Sequence, residues 1–166
     1  PECVMAYWGV AMSNFHPLWA QPNQTELEKG YKVITLGRSF VLDKSTRESD
    51  YLGAIAAIYD QWKTLDHRTR VLKFEKASEE VFKKYPEDNE AAIFYALALR
   101  ASADPTDKTF ANQKKSGKIL EAIFAKEPDH PGIAHYIIHT YDYPELAELG
   151  LPAARKYASI AAASAH

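Results

Sequence analysis

Two histidines one helical turn apart, followed by an aspartate, are the residues of this sequence best suited to chemistry. They are His135, His139 and Asp142, in the stretch HPGIAHYIIHTYD that runs from 130 to 142. Two imidazoles and one carboxylate form a ligand set that binds zinc or iron. We therefore take these three residues as candidate metal ligands, and a metal-dependent hydrolase is one function that they would allow.

The signature of a zinc protease is absent from this stretch. That motif reads H-E-x-x-H, and its Glu supplies the general base, whereas HYIIH carries Tyr136 at the Glu position. The sequence also contains no G-x-x-x-x-G-K-[ST], G-x-G-x-x-G, G-x-S-x-G or C-x-x-C motif. Because no complete catalytic set is present, an enzyme is the less favoured interpretation.

A helix over 131–142 would separate its apolar residues from the two histidines and the aspartate. Those three polar residues share one face, which lies beside the core stripe. Three interpretations stay open for them: metal ligands, groove residues that contact a partner, or side chains engaged in structural hydrogen bonds. The negative charge of Asp142 at a helix C-terminus would also need a nearby cation, either a metal or protonated His139. The core stripe consists of Ile133, Ala134, Ile137, Ile138 and Tyr141.

His130 stands directly before Pro131, and Pro131 suits the first turn of a helix. We therefore expect Asp129 or His130 to cap the helix that follows. This predicts a structural role for His130, in contrast to the two histidines further along the helix.

The composition is that of an ordinary globular protein. The 166 residues are 46% hydrophobic and 25% charged, with a formal net charge of −2, which suffices for a substantial core. Dispersed lysines and arginines argue against a nucleic-acid surface, and no apolar run approaches the ~20 residues of a membrane span. The single cysteine, Cys3, cannot form an internal disulfide, so cytoplasmic and periplasmic locations both stay open.

Apolar residues recur with the period of a helix, which predicts eight helices and no strand. In the clearest of them, over 67–85, an apolar stripe faces one way and charged residues, Arg70 among them, cover the rest. Asp66 can cap its start, and Pro86 stops it. Short connections favour antiparallel neighbours. The predicted helices span residues 2–14, 23–42, 46–62, 67–85, 88–103, 109–126, 131–142 and 151–161.

The helices repeat in pairs. An acidic proline turn leads into an apolar, aromatic helix at Pro1, Pro86 and Pro128, and the last two prolines are 42 residues apart. Glycine inside a helix costs ~1 kcal/mol relative to alanine, so at Gly9 we expect a close approach of the paired helix. The four predicted pairs span residues 1–42, 46–85, 88–126 and 130–166.

This arrangement resembles the tetratricopeptide repeat (TPR) family, whose first helix carries a W-x-x-L-G-x-x-Y pattern. The stretches 7–19 and 128–145 are similar to bacterial proteins of this family that are longer and have no established activity. The resemblance therefore transfers no catalytic role, and we expect 1–166 to be a single repeat domain from a longer chain. The pattern is present in degenerate form as Met5-Trp8-Gly9-Met12, Phe94-Leu97-Ala98-Ala101 and Ala134-Ile137-Ile138-Tyr141.

The resemblance implies an all-α, right-handed superhelical stack of about four antiparallel helix pairs. In such repeats the first helix of each pair lines a concave groove, which would place His135, His139 and Asp142 on a binding surface. Tyr95 and Tyr136 are further groove candidates, with packing between helices as the favoured alternative.

A TPR-like fold predicts a non-enzymatic scaffold that binds a protein or peptide segment without a cofactor. The alternative is a metal-binding protein, or a metal-dependent hydrolase, that holds zinc or another divalent metal. Terminal repeats lack an outer neighbour, so a homodimer through the exposed repeat ends is a further expectation.

Overall fold

The computed structural model describes residues 2–43 and 46–163, and within these ranges the chain forms eight α-helices and no strand. The prediction of an all-α chain is confirmed. The predicted break at 43–46 and the two chain ends lie partly outside the described residues. None of the helices in the described ranges is both long and apolar enough to cross a membrane. The helices are α1 (Val4–Phe15), α2 (Gln24–Ser39), α3 (Arg47–Tyr59), α4 (His67–Lys84), α5 (Asn89–Ala101), α6 (Ala111–Phe124), α7 (Pro131–Thr140) and α8 (Ala147–Ile160).

The chain divides into two compact units, Pro1–Pro86 and Glu87–His166. In the first unit α1 packs on α2 and α3 packs on α4, and α3 also contacts both α1 and α2. In the second unit α5 packs on α6 and α7 packs on α8, and α7 also contacts both α5 and α6. Each unit therefore contains two helix pairs, and the first helix of the second pair lies against both helices of the first pair.

Side-chain caps fix several of the helix starts that the sequence predicted. Asp66 accepts a hydrogen bond from the backbone N–H of Thr69 at 2.8 Å and so caps α4. Asn23 and Glu26 form a capping box at the start of α2. The Glu26 carboxylate also lies 3.1 Å from Nε2 of His16, the left-handed residue that ends α1. This contact ties the end of α1 to the start of α2.

Several predicted helix boundaries differ from the observed ones, among them the end of α3 and the start of α8. The helix predicted over 46–62 ends at Tyr59, because Asp60 takes an extended conformation with ψ of 133° and Gln61 then a left-handed one with φ of 58°. The helix predicted to begin at 151 begins at Ala147 and carries Pro152 inside it. Pro152 is exposed, so water can satisfy the carbonyl that its missing N–H leaves without a helical hydrogen bond.

In each unit, a tyrosine seated on a glycine joins the two helix pairs. Tyr59, the last residue of α3, is fully buried, and its ring occupies the space where a Cβ on Gly30 of α2 would lie. Its hydroxyl donates a hydrogen bond to the carbonyl of Ala11 in α1 at 2.5 Å. One side chain of the second pair thus contacts both helices of the first pair.

The second unit contains the same arrangement of a buried tyrosine packed on a glycine. Tyr141, which directly follows α7, is buried, and its phenol occupies the space where a Cβ on Gly117 of α6 would lie. Its hydroxyl donates to Oε1 of Glu121, also in α6, at 2.9 Å. Burial, followed by this contact with the carboxylate, raises the pKa of Tyr141, so the hydroxyl remains a donor throughout the physiological range.

The close helix approach expected at Gly9 is wrong. A Cβ at Gly9 would meet no atom within 4 Å outside its immediate neighbourhood. The first pair instead comes together at Gly37 of α2, where a Cβ would lie 2.8 Å from the Cβ of Tyr7. Glycine is therefore required in α2, the second helix of the pair, and is dispensable in α1.

Alanine substitutions should distinguish the glycines that pack against a tyrosine ring from those that do not. We expect Gly30→Ala and Gly117→Ala to lower the free energy of unfolding by about 1–3 kcal/mol, because the new methyl group displaces a buried ring. Gly9→Ala and Gly53→Ala, where a Cβ meets nothing within 4 Å, are matched controls that should gain up to ~1 kcal/mol. Urea denaturation measures all four, and a neutral Gly30→Ala variant would contradict the assignment.

A buried cation lies at the start of α4. Arg70 is only 4% exposed, which contradicts its predicted place on the charged outer side of this helix. Its Nη1 donates to the carbonyl of Ile58 in α3 at 2.7 Å, which explains why it turns inward. Within the described residues, neither Nε of Arg70 nor Nδ1 of neighbouring His67 has a hydrogen-bond partner. Burial, and then the charge of Arg70, lower the pKa of His67 below its ordinary value of 6.5.

The lowered pKa of His67 predicts a loss of stability in mild acid. As the pH falls below 6.5, the unfolded chain binds a proton at this imidazole that the folded chain resists, so the free energy of unfolding decreases until the pH reaches the folded pKa. Carboxylates with lowered pKa values, such as Asp66, change the free energy of unfolding only at lower pH. Denaturation at about pH 7.5 and pH 5.5 should show a smaller decrease for His67→Asn than for the wild type. Equal decreases in the two proteins would refute the assignment.

Candidate functional site

The helix that carries the candidate residues begins as the sequence predicted. The ring of His130 caps α7 by accepting a hydrogen bond at Nδ1 from the backbone N–H of Ile133 at 3.2 Å. Pro131 occupies the first turn. Three residues of the predicted core stripe in this helix, Ile133, Ala134 and Ile137, are buried. The structural role expected for His130 is confirmed.

His135 and His139 lie side by side on α7 and are both half-buried. Their ring centroids are 4.6 Å apart, with the ring planes inclined at 70°. The ring centroid of Tyr157, from α8, lies 5.5 Å from that of His135, and the ring centroid of Tyr136 lies 5.9 Å from it. We call these four residues the histidine face. It joins the first and second helix of the last pair.

Asp142 does not belong to this face. The helix ends at Thr140, two residues earlier than predicted, and Asp142 lies in the following segment with its side chain exposed. Across residues 2–43 and 46–163, no group of three or more His, Cys, Asp or Glu side chains is arranged to hold a metal ion. The structure therefore brings the two candidate imidazoles together and leaves the candidate carboxylate outside their group.

The cation at the end of α7 is an arginine from another helix. Nε of Arg100, near the end of α5, donates to the backbone carbonyl of His139 at 3.3 Å. The guanidinium also lies 5.4 Å from the ring centroid of Tyr143, which packs at 5.1 Å against Phe110. A positive charge here stabilises the negative end of the helix dipole. The sequence predicts a metal or protonated His139 as the cation near this helix end, and the structure places Arg100 there.

The two tyrosines predicted to line a groove have different environments. Tyr136 is half-buried, and its pKa is raised by burial first and then by the negative charge of Glu90 in α5. Tyr95 is only 1% exposed, and its hydroxyl accepts a hydrogen bond from Nζ of Lys115. The ring of Tyr95 is therefore part of the packing, while Tyr136 reaches the surface.

The histidine face combines polar ring nitrogens and hydroxyl groups with aromatic rings. Each imidazole carries two ring nitrogens, and the tyrosines add hydroxyl groups to a largely aromatic surface. Such a mixture is typical of surfaces that contact other proteins. Comparisons of the chain with protein-family models, curated proteins and solved structures found no match.

A site of two imidazoles predicts weak metal binding that does not depend on Asp142. Protein zinc sites have at least three protein ligands, so the purified protein should not retain stoichiometric zinc after dialysis. Residual zinc affinity, measured by calorimetry, should be lost in His135→Ala/His139→Ala and unchanged in Asp142→Asn. Stoichiometric zinc that is lost on Asp142→Asn would instead restore the three-residue site predicted from the sequence.

Proposed function

We propose that this chain is a TPR-like helical-repeat scaffold that binds a protein or peptide segment and is not an enzyme. The observation that carries the proposal is the histidine face, where half-buried polar and aromatic side chains of α7 lie beside Tyr157 of α8. This helix is the first of its pair, the position that lines the groove in TPR proteins. A partner segment would lie across His135, Tyr136 and His139.

The packing inside each unit supports a repeat architecture. The first helices of successive pairs are neighbours in both units, as α1 with α3 and as α5 with α7. Stability would then come from contacts between adjacent pairs, as in other repeat proteins. A right-handed superhelical stack of about four pairs, the finer architecture implied by the TPR resemblance, belongs to this proposal.

The state of the side chains on the histidine face favours a binding role. The two imidazoles contact each other and that of His135 also contacts Tyr157, so much of their rotamer freedom is already lost in the free protein. Ordering side chains on binding costs about 0.5–1.5 kcal/mol each, and a preformed face avoids part of that cost. Glu90, whose charge reaches Tyr136, would favour a partner with a positive charge at that edge.

A metal-binding protein is the second candidate function. It is favoured by one observation, the contact between the imidazoles of His135 and His139 at a centroid distance of 4.6 Å. A divalent ion bound there would need at least one further ligand from a partner protein, because zinc sites have at least three protein ligands.

Photo-crosslinking at Tyr136 tests the scaffold. A benzophenone amino acid at this position, in cells that make the protein, should crosslink to a defined segment of one partner. The same group at Leu72, an exposed residue of α4, serves as the control and should give no such product. His135→Ala/His139→Ala should reduce the crosslink about tenfold, since hot-spot losses typically exceed 1.4 kcal/mol.

Three outcomes of this experiment are distinguishable by mass spectrometry of the crosslinked product. A partner segment that is lost with the double variant supports the scaffold. A crosslink to a second copy of the chain identifies the homodimer expected from the sequence. Products identical to those of the Leu72 control would refute a binding role for the histidine face.

A further inference from the structure

A cleft in the first unit is independent of the histidine face. It opens between α2 and the turn that follows α3, and it encloses about 410 Å³. One turn of α2 forms the first wall, and the residues after Asp60 form the second. We call it the Tyr31–Trp62 cleft. It is lined by Glu28, Tyr31, Lys32, Gln61, Trp62, Lys63 and Thr64.

Both walls of the cleft are held in place before any ligand arrives. Gln61 takes a left-handed conformation that is rare outside glycine, with φ of 58°. Its carbonyl accepts hydrogen bonds from the backbone N–H groups of Thr64 and Leu65, each at 2.9 Å. Arg38 of α2 donates two hydrogen bonds to the carboxylate of Asp60, at 2.9 and 2.7 Å. The strained turn that presents Trp62 is thus fixed to α2.

Several of the lining side chains have polar groups that are available to a ligand. Tyr31 is 45% exposed, and Trp62 is half-buried. Within the described residues, the Tyr31 hydroxyl and the Trp62 indole N–H make no hydrogen bond, and Lys32 and Glu28 make no ion pair. Nζ of Lys63 lies over the Trp62 ring at 5.3 Å from its centroid. The cleft therefore combines aromatic faces and free donors with a lining of two lysines and one glutamate.

We propose that the Tyr31–Trp62 cleft binds an extended, proline-containing segment of another protein that carries a Glu or Asp beside the proline. Polyproline segments present rigid rings, and their carbonyl groups form no internal hydrogen bonds. Aromatic clefts bind such segments at a low entropic cost, because the ligand is already ordered. Tyr31 and Trp62 supply ring faces for the prolines and donors for the carbonyls.

The charges on the cleft favour an acidic residue beside the proline of the ligand. Lys32 and Lys63 outnumber Glu28, and the nearby charges of Arg38 and Asp60 neutralise each other. A carboxylate beside the proline would therefore meet a net positive rim. This cleft and the histidine face lie in different units, so failure of one assignment leaves the other standing.

Titration of the full chain with a synthetic peptide tests the proposal. The probe is acetyl-Pro-Pro-Glu-Pro-Pro-Glu-amide, followed by NMR of the Trp62 indole and of the amides of the 61–64 turn. Saturable shifts confined to this cleft are the expected result. Tyr31→Ala and Trp62→Phe should weaken binding about tenfold and threefold, respectively. Trp19→Ala, which alters an exposed tryptophan of the same unit, is the matched control and should bind normally.

Charge variants on one face of α2 provide a second test that does not touch the aromatic residues. Lys32→Glu should weaken binding of the acidic peptide several-fold, and Glu28→Lys should strengthen it. Replacing Glu by Lys in the peptide should reverse both effects. No shifts at millimolar peptide, or equal binding of a peptide with alanine in place of proline, would overturn the proposal. Tighter binding of AMP at the same residues would also overturn it, as evidence of a nucleotide-stacking surface.

Discussion

The seating of a tyrosine on a glycine is the contact on which the rest of each unit depends. Tyr59 over Gly30 and Tyr141 over Gly117 place the second helix pair against the first. A side chain larger than hydrogen at either glycine would separate the helices, since protein cores have no spare volume. Because each tyrosine is buried and hydrogen-bonded to the first pair, it fixes the position of the helix that carries it.

Both candidate binding surfaces are attached to these two tyrosines. Three of the four residues of the histidine face lie on α7, whose last turn leads directly into Tyr141. The turn that presents Trp62 begins directly after Tyr59. In each case the buried ring fixes the backbone beside exposed polar and aromatic side chains. Surfaces held in this way lose little entropy on binding. That property fits the binding role proposed for the chain.

Local features of this fold were readable from the sequence, and features that depend on which helices meet were not. Asp66 and His130 were predicted as caps because capping involves residues only three positions apart. The sequence predicts a contact at Gly9 and gives no sign of those at Gly30 and Gly117, because a glycine does not reveal which side chain faces it. For the same reason Arg100 was missed as the cation at the end of α7. Trp62, in the polar turn DQWKT, was the available signal for the cleft.

A double-mutant cycle tests the tyrosine-on-glycine junction most directly, by combining Gly117→Ala with Tyr141→Leu and measuring the free energy of unfolding. If the methyl group is harmful because it meets the Tyr141 phenol, Gly117→Ala should be strongly destabilising in the wild type and nearly neutral beside leucine. The coupling energy should then be at least ~1 kcal/mol. Additive effects, within about 0.3–0.5 kcal/mol, would show that the two residues act independently and would contradict the junction.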